Sequence, residues 1–342
     1  MGPAKLKGTL LEYIVRRLLT NCGFTKIDED GLLIFKRGPL TMINGKGAAH
    51  DADVLMNPPI QMPFSYPFRL NFECKAYKGT TGLSIIRNAL GLRYDINEFE
   101  VVTRRHLRAR QNNRRSSYAL DNRQRYNYQV GVASIDNFSK PAFEFAANNK
   151  IPLISLRWFL PPDICDKFHR ITTEYLQDFE EEDIKAMYDF LKGNNNYRGK
   201  VFLTEQRSIF GTIYRALEEF ERKVLIGLLE SGDLLFLISQ NSNAMSYILN
   251  NEMVMNARFH YQRRNLDYWT LNINNRAEFG FYLPDSIIQL WRDQNFRSNA
   301  AVDLKSRMFS KVFVFVKNEQ LPFRILNIDQ EWLNNIQTYD GQ

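Results

Sequence analysis

Gly45-Lys46-Gly47-Ala48-Ala49-His50-Asp51-Ala52-Asp53-Val54-Leu55-Met56 and, further on, Arg69-Leu70-Asn71-Phe72-Glu73-Cys74-Lys75 carry most of what this chain reveals about itself. In the second stretch Leu70, Phe72 and Cys74 alternate with Asn71, Glu73 and Lys75, which predicts a strand over 69–76. Glu73 and Lys75 are two residues apart and therefore project from the same side of that strand. Asp53–Met56 reads as a neighbouring strand, stopped by Pro58-Pro59. Asp53 begins it, so two carboxylates and a lysine can meet at one place on a sheet edge. Hard oxygen ligands of this kind hold Mg²⁺, which keeps several waters and takes up substrate phosphate. The ion polarises phosphoryl oxygens and lowers the pKa of a bound water. A lysine alongside can orient or deprotonate that water, or stabilise the charge that develops.

Moving outward, Leu6, Leu10, Leu11, Ile14, Val15, Leu18 and Leu19 recur at helical spacing, predicting a helix over 6–19 that ends before Gly23. A short strand is expected at 32–35 and a glycine- and proline-punctuated loop at 38–47. The spacing predicts a helix over 83–97. It then predicts a strand at 128–134, a helix at 140–148 and a strand at 151–156, a unit that favours a parallel pair. Pro161-Pro162 is read as the end of the first domain. A helix over 171–192 and a turn at Gly193-Asn194-Asn195-Asn196 follow. Further on, 209–231 reads as helical, 267–282 as a hairpin around Asn274-Asn275, and 311–316 and 324–328 as strands. The aromatic residues Tyr261, Tyr268, Trp269, Phe279, Phe281, Tyr282 and Trp291 fit a core better than a base-stacking platform.

The pattern of an aspartate about twenty residues before Glu-x-Lys, on adjoining strands, resembles the PD-(D/E)xK restriction-endonuclease superfamily, and within it the Mrr-like branch. That branch carries a glutamate near the metal on its N-terminal helix, a place taken here by Glu12 in Leu11-Glu12-Tyr13-Ile14-Val15. Gly45-Lys46-Gly47 and His50-Asp51 stand where relatives have Gly-Arg-Gly and a histidine-containing turn. Lys46 departs from the usual arginine and Asp51 from the more common glutamine. The resemblance spans roughly residues 5–160. It implies Asp53, Glu73 and Lys75 as the catalytic core, with Asp53, Glu73 and Glu12 as ligands of Mg²⁺ or Mn²⁺. His50 and Asp51 are accessory candidates: Asp51 is a rival to Asp53 as the motif aspartate and is open to a plain turn role, and His50 to a plain loop hydrogen bond. Glu12 is equally open to being a surface residue at the core's edge.

Charge points to a polyanion. The chain of 342 residues has a formal net charge of +7. Arg104, Arg105, Arg108, Arg110, Arg114, Arg115, Arg123 and Arg125 fall in one stretch with a single acid, Asp121. A solvated helix face mixes signs, and this stretch hardly does, so it is read as a grip on the nucleic-acid backbone. Three scattered cysteines lack any metal-ligand spacing and fit a reducing compartment. The sequence has no apolar run of membrane-spanning length and no Walker A, GxSxG or HExxH pattern.

The resulting expectation is an α/β chain: a restriction-endonuclease-like core, a mixed sheet flanked by helices, over residues 1–165. A linker helix and hinge occupy 166–200, and a separate α+β domain for regulation, partner binding or dimerisation occupies 201–342. The expected activity is Mg²⁺-dependent hydrolysis of DNA phosphodiesters in the cytoplasm, away from membranes. The resemblance implies a prokaryotic restriction or antiviral defence role, with a homodimer or a partner protein of a defence system left open. The rivals are a silent nuclease fold that binds nucleic acid or a partner, and a nuclease directed at RNA.

Overall fold

The computed structural model of the chain describes residues 1–27, 29, 33–61, 65–98, 126–205, 207–318 and 320–340. All eight arginines of the basic stretch lie outside the described residues.

The first half is built on a mixed sheet in the order β1 (Thr25–Lys26), β5 (Val54–Asn57), β6 (Phe68–Lys75), β7 (Asn127–Ser134) and β8 (Leu153–Ser155). β5 and β6 are antiparallel, with Val54 opposite Phe72, whereas β6–β7 and β7–β8 are parallel. One face carries Val54, Met56, Phe72 and Cys74 and packs on α1 (Pro3–Asn21) through Leu11, Ile14, Val15 and Leu18. The other carries Leu55, Tyr128, Val130 and Val132 and packs under α2 (Leu83–Asn97) and α3 (Lys140–Asn148). Gly131 lets β7 lie close to its neighbours, since a Cβ there would meet the Phe72 ring at 2.5 Å and the Pro152 carbonyl oxygen at 2.8 Å. The expected parallel pair around helix 140–148 is present, as are the helix at 83–97 and the strand holding Glu73 and Lys75.

The segment 38–47, expected as a loop, instead contributes the central strand of a small sheet of β2 (Ile34–Arg37), β3 (Leu40–Asn44) and β4 (Ala49–Asp51). Gly38, at a φ of 61°, supplies the left-handed turn between β2 and β3. The backbone pairing of that hairpin overrides the glycine and proline signal, which marked only its turn.

Pro161-Pro162 do not end the fold; Pro162 opens α4 (Pro162–His169), where a first-turn proline is tolerated. The expected helix over 171–192 is broken into α5 (Thr173–Gln177) and α6 (Glu181–Leu191), followed by α7 (Tyr197–Thr204) and α8 (Ile209–Glu221). Phe168, Ile184, Met187, Leu191, Leu203, Phe210 and Leu217 from these helices, and Ile171 between α4 and α5, are buried in one cluster with α1. Thus 166–200, read from sequence as linker and hinge, contributes side chains to the main core.

The helix expected over 209–231 stops at Glu221, and Val224–Leu229 is a strand, β9. A short continuous apolar run such as this one does not reveal by periodicity whether it is helix or buried strand. β9 belongs to a closed barrel, among the described residues, with β10 (Leu234–Ser239), β11 (Val254–Gln262), β12 (Asn265–Ile273), β13 (Ala277–Tyr282), β14 (Lys311–Phe315) and β15 (Phe323–Ile328). Its order is β10-β13-β12-β11-β15-β14-β9, and β11 pairs with β15 in parallel. Trp269, Phe259, Phe279, Phe281 and Phe309 fill its core, as does Trp291 from α10 (Asp285–Arg292), after α9 (Ala244–Asn250). α11 (Ser298–Met308) and α12 (Gln330–Asp340) complete the chain. The barrel is not isolated from the first sheet: Phe236 lies 6.0 Å from Trp158 and Phe315 lies 5.4 Å from Phe24, ring centre to ring centre. No helix among the described residues is long and apolar enough to cross a membrane.

Candidate active site

Four chain segments bring charged groups together around the start of β5 and the end of β6. Asp53 sits just before β5, and its Oδ2 accepts a hydrogen bond of 2.7 Å from the Cys74 amide. That amide lies between Glu73 and Lys75, so the aspartate is fixed beside the pair on β6. Lys75 Nζ donates to Glu73 Oε2 at 3.0 Å, with both side chains mostly buried. Glu12 points from α1 with a side chain only 9% exposed, and its Oε2 accepts from Lys192 Nζ at 2.6 Å.

Asp51 and His50 leave β4 on opposite sides, as successive strand residues must. Asp51 interacts electrostatically with Asp53, Lys75 and Lys192, and so belongs to the cluster. His50 turns away: its Nε2 meets Asp95 Oδ2 on α2 at 2.6 Å. Asp95 also accepts from the Gly47 amide, and Lys46 pairs with Glu98 at 2.9 Å. The Gly45-Lys46-Gly47 segment therefore locks the β3–β4 turn onto the end of α2. Gly45 is needed there, because a Cβ would fall 1.9 Å from Asp95 Oδ2.

The electrostatics are those of carboxylates crowded out of water. Burial pushes the Glu12 pKa up to about 7, and Asp53 adds to the rise, outweighing the Lys192 ammonium. Burial likewise raises Glu73, helped by Asp53 and opposed by Lys75. Asp51 and Asp53 are raised by burial too, with the Cys74 amide and the two lysines pulling Asp53 back. Both lysines are held above their ordinary value: burial works against their charge, but Glu73 for Lys75 and Glu12 for Lys192 prevail. The carboxylates outnumber the lysine ammoniums, and a further cation would relieve them.

An all-oxygen donor set suits a hard divalent ion, and Asp53 and Glu73 flank the same Cys74 backbone. No group of three or more His, Cys, Asp or Glu side chains among the described residues is already gathered as a metal site. Glu12 and Glu73 each already share one carboxylate oxygen with a lysine, so an ion bound by them competes with these ion pairs.

Sequence reasoning missed Lys192. It lies 180 residues from Glu12, in a segment read as a linker, and nothing local marks it. Sequence reasoning also missed a polar brace beside the site. Asp136, just past β7, accepts from the Gly79 amide at 2.8 Å and from Arg157 Nε at 2.5 Å, and His169 Nε2 lies 2.9 Å away. Thr81 and Ser134 share a 2.8 Å hydroxyl hydrogen bond. These contacts fix the loop that leaves Lys75.

No protein-family model and no curated protein matches the sequence. One solved structure, a protein of unknown function designated AF1548, is similar over 60% of this chain and 98% of its own, with 13% identity and a TM-score of 0.31. A likeness this distant bears on neither the fold nor the chemistry of the site described above.

Proposed function

We propose that the chain is a Mg²⁺- or Mn²⁺-dependent endonuclease that hydrolyses DNA phosphodiesters, with a restriction-endonuclease-like arrangement around Asp53, Glu73 and Lys75. The observation that carries this reading is the bond from the Cys74 amide to Asp53, which sets the aspartate beside the Glu-x-Lys pair. Asp53 and Glu73, with Glu12 in support, would hold the divalent ion. The ion would supply charge stabilisation at the phosphoryl group and an acidified water. Lys75, raised in pKa by Glu73 and Asp53, stays an ammonium at neutral pH. In that state it donates hydrogen bonds to the water or the phosphate and steadies developing negative charge. The eight arginines between 104 and 125 would grip the phosphate backbone without reading sequence. A defence role against foreign DNA, in the cytoplasm and with a partner protein or a second copy, is the setting this activity fits.

A second reading, a nuclease fold that holds nucleic acid or a partner without cutting, draws on the engagement of Glu12 and Glu73 by lysines. Incubating the chain with plasmid DNA, linear DNA and single-stranded RNA, each with and without Mg²⁺ or Mn²⁺, separates the readings. Metal-dependent cutting of DNA is expected. Cutting of RNA alone would redirect the substrate, and no cutting in any arm would favour the binding module.

A further inference from the structure

We infer that Lys192 is a resident counter-cation of the acidic site, seated on Glu12 in the place that a divalent ion must win from it. The inference rests on reading Asp53, Glu73 and Glu12 as a divalent-metal site. It adds that the site is completed by the helical segment beyond residue 165, which also sets how tightly metal is held.

The geometry is specific. Lys192 immediately follows α6, and Gly193, with a φ of 97°, turns the chain directly after it. Two α1 side chains one helical turn apart receive this corner. Arg16 Nη2 donates to the Leu191 carbonyl oxygen, and Glu12 takes the Lys192 ammonium. The free carbonyls at a helix C-terminus favour just such cations. Lys192 and Glu12 are 12% and 9% exposed, so water screens their pairing little. The same ammonium acts electrostatically on Asp51 and Asp53. Lys192 is thus bonded to Glu12 as Lys75 is to Glu73, and both ammoniums act on the two aspartates between them.

The chemistry follows. Buried carboxylates without a cation are costly, so a lysine that fills the site keeps the metal-free chain folded. An ammonium on a flexible four-carbon stem can leave without disturbing the backbone. A divalent ion bound by Glu12 repels it at short range. Metal binding therefore includes release of Lys192 from Glu12, and the metal affinity is lower than the carboxylates alone would give.

Mn²⁺ binding to the full-length chain, read by calorimetry and by melting with and without the ion, tests this. The variants are Lys192→Met, Lys192→Gln, which retains a donor for Glu12 without charge, and Asp53→Asn as the site control. Both Lys192 variants are expected to bind Mn²⁺ about tenfold tighter or more. They should also melt lower than wild type in the absence of metal and gain more from Mn²⁺ than wild type does. A side chain with only a structural role would lower both melts equally. If Lys192→Met fails to fold, Lys192→Gln carries the comparison. Unchanged or weaker Mn²⁺ affinity in the Lys192 variants, with wild type binding the ion, would overturn the role of Lys192 and leave the metal site standing. Absence of saturable, Asp53-dependent binding in wild type and in both Lys192 variants would overturn the metal site and this inference with it.

Discussion

Asp53 and Cys74 are joined by one hydrogen bond, from the Cys74 amide to the Asp53 carboxylate, at 2.7 Å. It ties the start of β5 to the middle of the Glu-x-Lys motif across the antiparallel pair. It also holds a carboxylate where its charge raises the pKa of Glu12, Glu73 and Asp51. The site is therefore arranged against its own stability.

Asp53→Asn tests that tension. The amide oxygen still accepts from Cys74, while one of the repelling charges is gone. The metal-free variant is expected to be more stable than wild type by about 1 kcal/mol in urea melts. Cleavage is expected to fall about a hundredfold or more, because a charged ligand is lost. A variant that is both less stable and equally active would contradict this account.

The raised pKa of Glu12 makes the metal-free chain sensitive to alkali. The folded state binds this proton more tightly than the unfolded chain does, since burial and Asp53 raise the pKa from 4.5 to about 7. The stabilising contribution is thus complete below the unfolded value and is lost as pH rises through about 7. At most it amounts to about 3 kcal/mol. Urea midpoints should fall between about pH 5 and about pH 8, and Glu12→Gln should flatten much of that fall. An identical pH slope in wild type and variant would count against the burial of an ionisable Glu12.

Asp136 works in the opposite direction. Burial raises its pKa, but Arg157, the Gly79 amide and His169 together hold it below the ordinary 3.8. Its contribution is present above that value and is lost as pH falls through the lower, folded one. Asp136→Asn removes the charged acceptor of Arg157 and weakens the hold on the Gly79 amide, costing about 2 kcal/mol at neutral pH. Hydrogen exchange should then speed up in the loop 76–82 that follows Lys75. Unchanged exchange there would show that the brace does not support the loop.

The parts of this architecture that were legible in the sequence are those whose determinants are local. Alternation in Arg69–Lys75 marked its strand, apolar spacing marked α1, and Pro141 marked the first turn of α3. Asn274 and Asn275 marked their hairpin because both adopt the left-handed conformation, with φ of 52° and 56°. The barrel was not legible as a closed unit. β9 is apolar on both faces, and β15 finds its parallel partner β11 across about seventy residues of chain. At the site, Asp53, Glu73 and Lys75 share two adjacent strands, so their spacing placed them. Lys192 and Asp136 act through tertiary contacts that no local pattern encodes.

Asn275 offers a check on that hairpin. Asn275→Gly keeps the positive φ without a Cβ and should raise stability by a few tenths of a kcal/mol. Asn275→Val should lower it by about 1–2 kcal/mol, since a β-branched residue is strained there. Thermal melts that rank the two variants the other way would contradict the turn geometry.

The most direct test of the central claim is plasmid cleavage with Mg²⁺ or Mn²⁺ by wild type, Glu73→Ala and Lys75→Ala side by side, with folding of each verified by circular dichroism. The account predicts nicking or linearisation by wild type that stops on chelation, and a loss of about a hundredfold or more in each variant. Cleavage that persists in both variants, or that needs no divalent ion, would contradict it.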